Sequence, residues 1–381
     1  MICSRWIALA LVLLPASTTK AQIAYTITDL GFLPGIWNSS FAHSINNAGQ
    51  VAGDIMSMQS GMPANRAWRY TPGVGLIDLG SLGTSSVSTS LASQINSSGQ
   101  VVGDSSLPSG VVGGAYRYTS GVGMVGLGTL PGHNYSKAMG INDAGQVVGE
   151  SGIGGMGPAV AFRYTDGVGM VSLGMPPGAV SSQGQAINNV GQVVVNAAVP
   201  LGTVRTFRYT DALGFLTLGT LGGQNTVGFA INDAGQIVGY SETAAGETHA
   251  FRYSDGFGIV DLGTVAGTSG SLARGMNNQG DVVGQSGTRA FLFRDGLGMA
   301  DLNGLIDPTS GWFLQVATDI NENGQIAGFG TLGGITRAFV LTPVPEPSSL
   351  LLVAAFALAG AVAHHRRRIP TWLPRRLQRA Y

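Results

Sequence analysis

One short motif recurs seven times along this chain and limits what the chain can fold into. Its clearest copy is Ile141-Asn142-Asp143-Ala144-Gly145-Gln146-Val147-Val148-Gly149. The first asparagines of the copies are 50, 46, 46, 44, 45 and 44 residues apart and occupy Asn46, Asn96, Asn142, Asn188, Asn232, Asn277 and Asn321. Such a period is typical of repeat architectures, and about 40–50 residues suits a four-stranded propeller blade.

Two further markers follow each asparagine motif. An aromatic segment such as Phe162-Arg163-Tyr164 occurs seven times, and Leu-Gly after a short apolar stretch occurs six times, with Leu302-Asn303 as a degenerate seventh. Alternating apolar residues predict strands. Asn and Asp side chains that bond nearby amides, followed by a Gly with positive φ, predict the turns. Each repeat therefore predicts a four-stranded antiparallel meander, and the longer stretch after Leu-Gly is predicted to cross to the next unit.

The last repeat has no fourth strand of its own. Pro343-Val344-Pro345 stands in its place, and proline cannot donate to a β-ladder. The missing strand is found at the other end of the chain, at residues 25–30. Pairing it with Phe339-Val340-Leu341 closes a ring and removes an exposed edge. We therefore predict an all-β fold, a seven-bladed β-propeller over residues 22–343; an open β solenoid is the alternative.

Composition supports this fold class and excludes several functions. The chain has 60 Gly and only 10% charged residues, which disfavours long amphipathic helices. Residues 22–343 hold 12 Arg and Lys against 19 Asp and Glu, a net charge of −7, so no nucleic-acid partner is expected. The only cysteine, Cys3, lies in the leader, which excludes disulfides and thiol chemistry from the mature protein.

The N-terminus has the features of an export signal. Arg5 precedes an apolar run from Trp6 to Leu14, and small residues lead to Ala21. This order predicts a signal helix over residues 1–21, recognised by the Sec translocon and cut by signal peptidase after Ala21; a short buried helix or a membrane anchor is the alternative.

The C-terminus combines three features. Pro345-Glu346-Pro347 precedes an uncharged, largely apolar run over 348–363, which is followed by His364, His365 and the cluster Arg366, Arg367 and Arg368. As a helix this run spans roughly 24 Å, less than the ~30 Å hydrocarbon core, so we predict a transient anchor with its arginines in the cytoplasm. A permanent membrane anchor is the alternative.

This end, over 344–368, resembles the PEP-CTERM sorting signal, which is also catalogued as the ice-binding protein C-terminal domain. The resemblance implies cleavage near Pro345-Glu346-Pro347 by an exosortase-type enzyme in a Gram-negative bacterium that makes exopolysaccharide. The chain departs from the family pattern because a basic cytoplasmic tail, 369–381, follows the arginine cluster.

The repeats, over roughly 28–342, resemble the extracellular HAF repeat family, named for the residues that stand here as His249-Ala250-Phe251. The resemblance implies secretion and a propeller-like repeat, and it brings no established activity. Other copies keep only Ala and the aromatic residue, as in Arg66-Ala67-Trp68 and Val160-Ala161-Phe162.

The search for catalytic chemistry predicts no catalytic, cofactor or metal residues. His43, His133 and His249 belong to different repeats, and none has metal-ligand spacing. His249 is interpreted as a strand residue because a histidine without a partner has no mechanism. Calcium binding at Asn142-Asp143 and Asn232-Asp233 is an alternative to their turn role, but each copy supplies too few carboxylates.

Two other features bear on recognition. Arginines alternate with the strand aromatics at Arg69, Arg117, Arg163, Arg208 and Arg252. They are predicted to pair with Asp78 or Asp261, and ligand contact is the alternative. The loops that vary most in length, such as 54–66 against 285–289, are predicted to carry any binding site.

These observations predict a non-enzymatic, exported surface protein, processed through its C-terminal signal, with a structural or adhesive role in the envelope or exopolysaccharide matrix. A carbohydrate-binding propeller is the alternative, and a hydrolase is the weakest hypothesis because no acid, base and nucleophile constellation is present. Exopolysaccharide is the predicted matrix partner. Ice binding has no regular threonine array to support it.

Overall fold

The computed structural model describes residues 25–345, except 36–37, 60–61, 86–87, 108–112 and 155–156. These residues form 28 strands in seven four-stranded antiparallel sheets, together with two short 3-10 helices, Pro200–Gly202 and Leu302–Leu305. The predicted seven-bladed β-propeller is confirmed, and the open solenoid is wrong. The predicted signal helix and C-terminal helix lie outside the described residues.

Each blade is numbered by the order of its first strand, which is the innermost. The first four blades consist of β2 (Ser39–Ile45), β3 (Val51–Gln59), β4 (Met62–Thr71) and β5 (Gly75–Asp78); β6 (Ser90–Ile95), β7 (Val101–Ser105), β8 (Gly114–Thr119) and β9 (Gly123–Gly126); β10 (Tyr135–Ile141), β11 (Val147–Gly152), β12 (Ala159–Thr165) and β13 (Gly169–Gly174); β14 (Ser181–Ile187), β15 (Val193–Val199), β16 (Thr203–Thr210) and β17 (Gly214–Thr217).

The remaining blades follow the same order until the last. They consist of β18 (Gly222–Ile231), β19 (Ile237–Thr243), β20 (Thr248–Ser254) and β21 (Gly258–Gly263); β22 (Ser271–Met276), β23 (Val282–Ser286), β24 (Arg289–Arg294) and β25 (Gly298–Asp301); β26 (Trp312–Ile320), β27 (Ile326–Leu332), β28 (Ile335–Pro343) and β1 (Tyr25–Asp29).

The seventh blade takes its fourth strand from the start of the propeller. β1 pairs antiparallel with β28, in a register that runs from Tyr25 opposite Pro343 to Asp29 opposite Phe339. The Leu30 amide then donates to the carbonyl oxygen of Ala338 over 3.0 Å. The predicted ring closure is therefore confirmed. β1 lies at the other terminus of the chain because it supplies the fourth strand of the seventh blade.

Apolar packing between neighbouring sheets holds the blades together. The third strand of each blade buries an aromatic side chain at the same position: Trp68, Tyr116, Phe162, Phe207, Phe251, Phe291 and Phe339. In the third blade, Phe162 packs with Val147 and Ile141, and with Val102 from the second blade. Because each core uses two sheets, no blade can bury its own aromatic residue alone.

In most blades a serine at the start of the first strand forms hydrogen bonds with the preceding blade. Ser136 Oγ accepts from the Ala115 amide over 3.0 Å and donates to the Gly128 carbonyl over 2.7 Å. Ser90, Ser182 and Ser271 make the same pair of bonds. These buried hydroxyls satisfy backbone groups that the crossover would otherwise leave without partners.

Candidate functional site

Every innermost strand has a β-bulge at the same position. The register shifts between the paired residues that flank one extra residue, for example between Ala42 and Ser44. A bulge re-aims the side chain of its extra residue. The seven bulge residues, one per blade, are His43, Ser93, Met139, Gln185, Phe229, Arg274 and Thr318. All seven line one cavity of about 360 Å³ in the central channel, which makes this cavity the candidate site.

One side of the cavity is acidic. The imidazole of His43 pairs with the carboxylate of Asp54, and Asp104 occupies the equivalent position in the second blade. Burial raises the pKa of Asp104, the nearby Lys137 ammonium opposes this rise, and the charge of Asp54 adds to it. Burial likewise raises the pKa of Glu150, the third member of this series. The channel therefore holds carboxyl groups that take up protons more readily than carboxyl groups in water.

The opposite side is aromatic and cationic. The rings of Phe229 and Tyr240 lie 5.8 Å apart, and the Arg274 guanidinium lies 5.7 Å from the centre of the Phe229 ring. Arg274 also donates to Gln285 Oε1 over 3.1 Å, and burial lowers the pKa of its guanidinium. An aromatic face, a charged donor and an amide thus lie across the cavity from the carboxylates.

Asp319 lies deeper in the channel and joins the last blade to the first. Its carboxylate accepts from Ser44 Oγ over 2.8 Å, from the Ile45 amide over 3.0 Å and from the Ile320 amide over 2.9 Å. Burial raises the pKa of this carboxyl to about 6, although these hydrogen bonds favour its charged form.

The Asp319 carboxyl makes the stability of the propeller depend on pH. Its pKa is higher in the folded protein than the ordinary 3.8, so the folded state binds the proton more tightly. We expect the protonated carboxyl to stabilise the folded state fully below about pH 4. This stabilisation, on the order of 2 kcal/mol for this partly exposed residue, is lost as the pH rises through 6. Urea unfolding of Asp319→Asn at pH 4 and pH 7 should lack this loss.

The experiment compares how the free energy of unfolding changes with pH in the two proteins. The side-chain nitrogen that Asp319→Asn introduces cannot accept a hydrogen bond, so either the Ile45 amide or the Ile320 amide loses its acceptor and absolute stability also changes in this variant. The exposed carboxylate variant Asp78→Asn is the control and should keep the wild-type slope. An unchanged slope in Asp319→Asn would contradict the assignment.

A ring of asparagines narrows the channel on one side of this cavity. The seven repeat asparagines lie in the turns between first and second strands, where the side-chain oxygen of Asn142, for example, accepts from the Gln146 amide over 3.0 Å. Each Nδ2 also donates to the carbonyl of the corresponding asparagine in the next blade, at 2.9–3.4 Å all round the ring. Only an amide supplies both functions, because a carboxylate has no donor.

The arginines of the third strands bridge neighbouring blades. Each of four guanidinium groups reaches the turn aspartate of the next blade, as Arg117–Asp166, Arg163–Asp211, Arg208–Asp255 and Arg252–Asp295 at 2.9–3.0 Å. Arg69 meets Ser120 at the equivalent position, over 2.9 Å. The prediction that these arginines pair with Asp78 or Asp261 is wrong, because each arginine lies at the strand end that faces the turn of the next blade.

The histidine interpretation needs one correction. His249 has a partner, since its Nδ1 lies 2.8 Å from Asp261 Oδ2 on the neighbouring strand β21. His133 lies 3.1 Å from Ser151 Oγ. The two carboxylates considered for calcium, Asp143 and Asp233, accept from backbone amides of the preceding blades. Among the described residues, no three His, Cys, Asp or Glu side chains form a metal-sized group.

Sequence reasoning missed the channel residues. A signal was nevertheless present: in the segments Ser40–Asn46 and Ser90–Asn96 the Ala, Ile and Asn positions recur, whereas the bulge position holds a different residue type in all seven repeats. A constant frame around one variable position is typical of a scaffold that presents different side chains to one site. The loops predicted for recognition, which include undescribed residues, stay a prediction.

The end of the last strand leads directly into a sorting signal. Residues 343–368 match the PEP-CTERM protein-sorting motif. This motif is a substrate signal for exosortase processing and marks an exported, cell-surface-directed protein. Pro345 is exposed just after β28, while Ala21, Glu346, Pro347 and Arg366–Arg368 lie outside the described residues. The resemblance to HAF repeats stays a prediction.

Several solved structures are similar to this chain at low identity. Virginiamycin B lyase from Staphylococcus aureus is 10% identical over 84% of this chain and 100% of its own, with a TM-score of 0.48. BP39L lectin from Burkholderia pseudomallei is 11% identical over 80% and 97%, with a TM-score of 0.45. TolB from Acinetobacter baumannii is 12% identical over 82% of this chain and 66% of its own, with a TM-score of 0.43. This chain therefore spans just under two thirds of the length of TolB. No curated protein matches the sequence.

Within the described residues, no helix is both long and apolar enough to cross a membrane, and the predicted span over 348–363 lies outside them.

Proposed function

We propose that this exported protein is a non-enzymatic adhesive module of the cell surface that holds a carbohydrate group of the exopolysaccharide matrix in its central channel. The two-sided cavity is the observation that carries the proposal. Phe229 offers an aromatic face for the C–H face of a sugar ring, and Asp54 and Asp104 offer acceptors for its hydroxyls. The cavity volume of about 360 Å³ lies within the usual range for small-ligand sites.

The absence of catalysis is part of the same proposal. Hydrolysis through a serine needs a base beside the hydroxyl. Ser44 Oγ, the channel hydroxyl nearest His43 in sequence, instead donates to the carboxylate of Asp319, and the His43 imidazole is paired with Asp54. Both groups therefore have structural partners, which supports binding rather than acyl transfer.

A purely structural role is the second candidate. The closed ring, the asparagine ring and the blade-bridging Arg–Asp pairs make a rigid body whose last strand continues into the sorting motif. In that case the propeller would act as a spacer in the matrix, with no ligand in its channel.

A glycan array separates these candidates. We expect the purified protein to bind a subset of glycans, and Asp104→Asn or Phe229→Ala to weaken that binding by about tenfold, or about 1.4 kcal/mol. Asp307→Asn, which changes an exposed carboxylate that does not line the cavity, is the matched control and should bind normally. Asp104→Asn is the cleaner variant because it keeps the side-chain shape.

Two results would contradict the proposal. No binding at high protein density would favour the structural role, and release of sugar from the array would show an enzyme. Thermal unfolding of each variant checks that a loss of binding is not a loss of fold.

A further inference from the structure

One edge of the propeller carries a ring of exposed apolar side chains. They stand at the same position of the turn between the third and fourth strands in six blades: Val74, Val122, Val168, Leu213, Phe257 and Leu297, each 57–84% exposed. Backbone hydrogen bonds such as Val168 N to Thr165 O, 3.1 Å, hold the turn shape and leave the side chain outside. We call these six residues the turn ring.

The turn ring lies at the edge from which the chain leaves the propeller. Strands alternate in direction, so the asparagine turns and the turn ring share one edge of each sheet. Gln50 Nε2 at the asparagine turn of the first blade donates to Thr71 Oγ1 beside Val74, and Gln325 Nε2 donates to Thr342 Oγ1 in the same way, both over 3.3 Å. β28 therefore ends at the seventh position of the turn ring, where Val344 is exposed.

The sequence that follows β28 indicates which surface lies next to this edge. Only residues 344–347 separate β28 from the run over 348–363, and four extended residues reach at most about 14 Å. That run is apolar and ends in arginines, as membrane-entering segments do. With this run in the membrane, as the sequence analysis predicts, a lipid surface would lie within reach of the turn ring before the sorting signal is removed.

The chemistry of the edge fits a lipid interface. Four turn aspartates that neighbour the ring are already neutralised by the arginines of preceding blades. In four blades a second partly exposed apolar residue follows three positions later on the fourth strand, at Val125, Val171, Leu216 and Val260. One such side chain on a surface is ordinary, but equivalent ones in six blades can enter an interface together.

We propose that the turn ring docks the propeller edge onto the surface of a lipid bilayer. This goes beyond the proposed adhesive function and does not depend on it. The opposite edge also exposes apolar residues, namely Ile153, Val180, Leu201, Phe313 and Ile335, but at unrelated positions. The larger channel cavity lies away from the asparagine turns, since it shares only Ser44, Gln94 and Asp319 with the narrower space inside the asparagine ring. Docking would therefore leave that cavity free.

The single cysteine of the chain makes a direct test possible. The full chain with Cys3→Ser is reconstituted in phosphatidylcholine vesicles and labelled with an environment-sensitive dye at Phe257→Cys in one protein and at Leu201→Cys in another. Leu201 is the matched control because it is apolar and fully exposed at the opposite edge. We expect nitroxide-labelled lipids to quench the dye at 257 at least about threefold more than the dye at 201.

A second variant tests the ring rather than the single site. Adding Val168→Ser and Leu213→Ser to the Phe257→Cys protein should reduce the quenching at 257. Equal quenching at 257 and 201 would overturn the proposal. So would shielding at 257 that appears only when several chains share a vesicle, since that would assign the ring to a second copy of the protein. Asp104→Asn should leave all these readings unchanged, which separates this test from the glycan test.

Discussion

Replacing Gly149 by alanine is expected to destabilise the propeller by about 3 kcal/mol or more. A Cβ at this position would lie deep inside the van der Waals radius of the Lys137 carbonyl oxygen, and it would meet Lys137 C at 2.9 Å and Ala138 Cα at 3.0 Å. All three are backbone atoms of the bulged strand β10, so no side-chain rotation can relieve the contact. Denaturant unfolding of the purified protein measures the change.

Gly126→Ala is the matched control. It also replaces a strand glycine, but its Cβ would touch only the flexible Leu82 side chain, at 3.4 Å. A loss below about 1 kcal/mol is expected there. Equal losses in the two variants would mean that glycine flexibility, and not the close approach, explains the motif.

The same close approach explains the glycine in most repeats. Gly53, Gly103, Gly239, Gly284 and Gly328 each face the carbonyl oxygen of the equivalent first-strand residue. The fourth blade has Val195 instead, paired with Gly184, where most blades pair a glycine with an alanine. In the fourth blade the glycine of the pair is therefore on the first strand and the larger residue is on the second strand.

A chain that begins at Gly31, and therefore lacks β1, is expected to lose at least about 4 kcal/mol of stability and the cooperativity of unfolding. Tyr25 and Leu30 are buried, and each contributes roughly 2 kcal/mol of apolar burial. The deletion also removes the ladder to β28 and the pair between Asp29 and Arg337. Calorimetry and a dye that binds exposed apolar surface measure the two effects.

A chain that begins at Gln22 keeps β1 and is the control for this deletion. Because loss of β1 leaves β28 as an unpaired edge, the shortened chain should also aggregate at lower concentration. If both chains unfolded at the same temperature and in one transition, ring closure would not contribute to stability as the register implies.

Repeat arithmetic predicted most of the architecture. The asparagine spacing, the aromatic segments and the proline-rich end of the seventh repeat were sufficient to predict seven blades and the strand that closes them. These features are local, because turn chemistry and strand alternation act within a few residues. The one displaced strand was also predictable, since Pro343 and Pro345 leave a place that only residues 25–30 can fill.

The site was not predictable in the same way. His43 and Asp54 are 11 positions apart and share no sequence motif, yet antiparallel pairing of β2 with β3 brings them together. Arg117 finds Asp166 in the following blade, 49 residues away, and not an aspartate of its neighbouring strands.

The sequence by itself determined the number of blades, their strand order and the closure of the ring, because each follows from short-range turn and strand preferences repeated at one period. Only the tertiary structure decided what lines the channel. A bulge of one residue turns His43, Phe229 and Arg274 inward, and the curvature of the closed ring sets which side chains of different blades meet. Both depend on packing between sheets far apart in the chain, which no single repeat encodes.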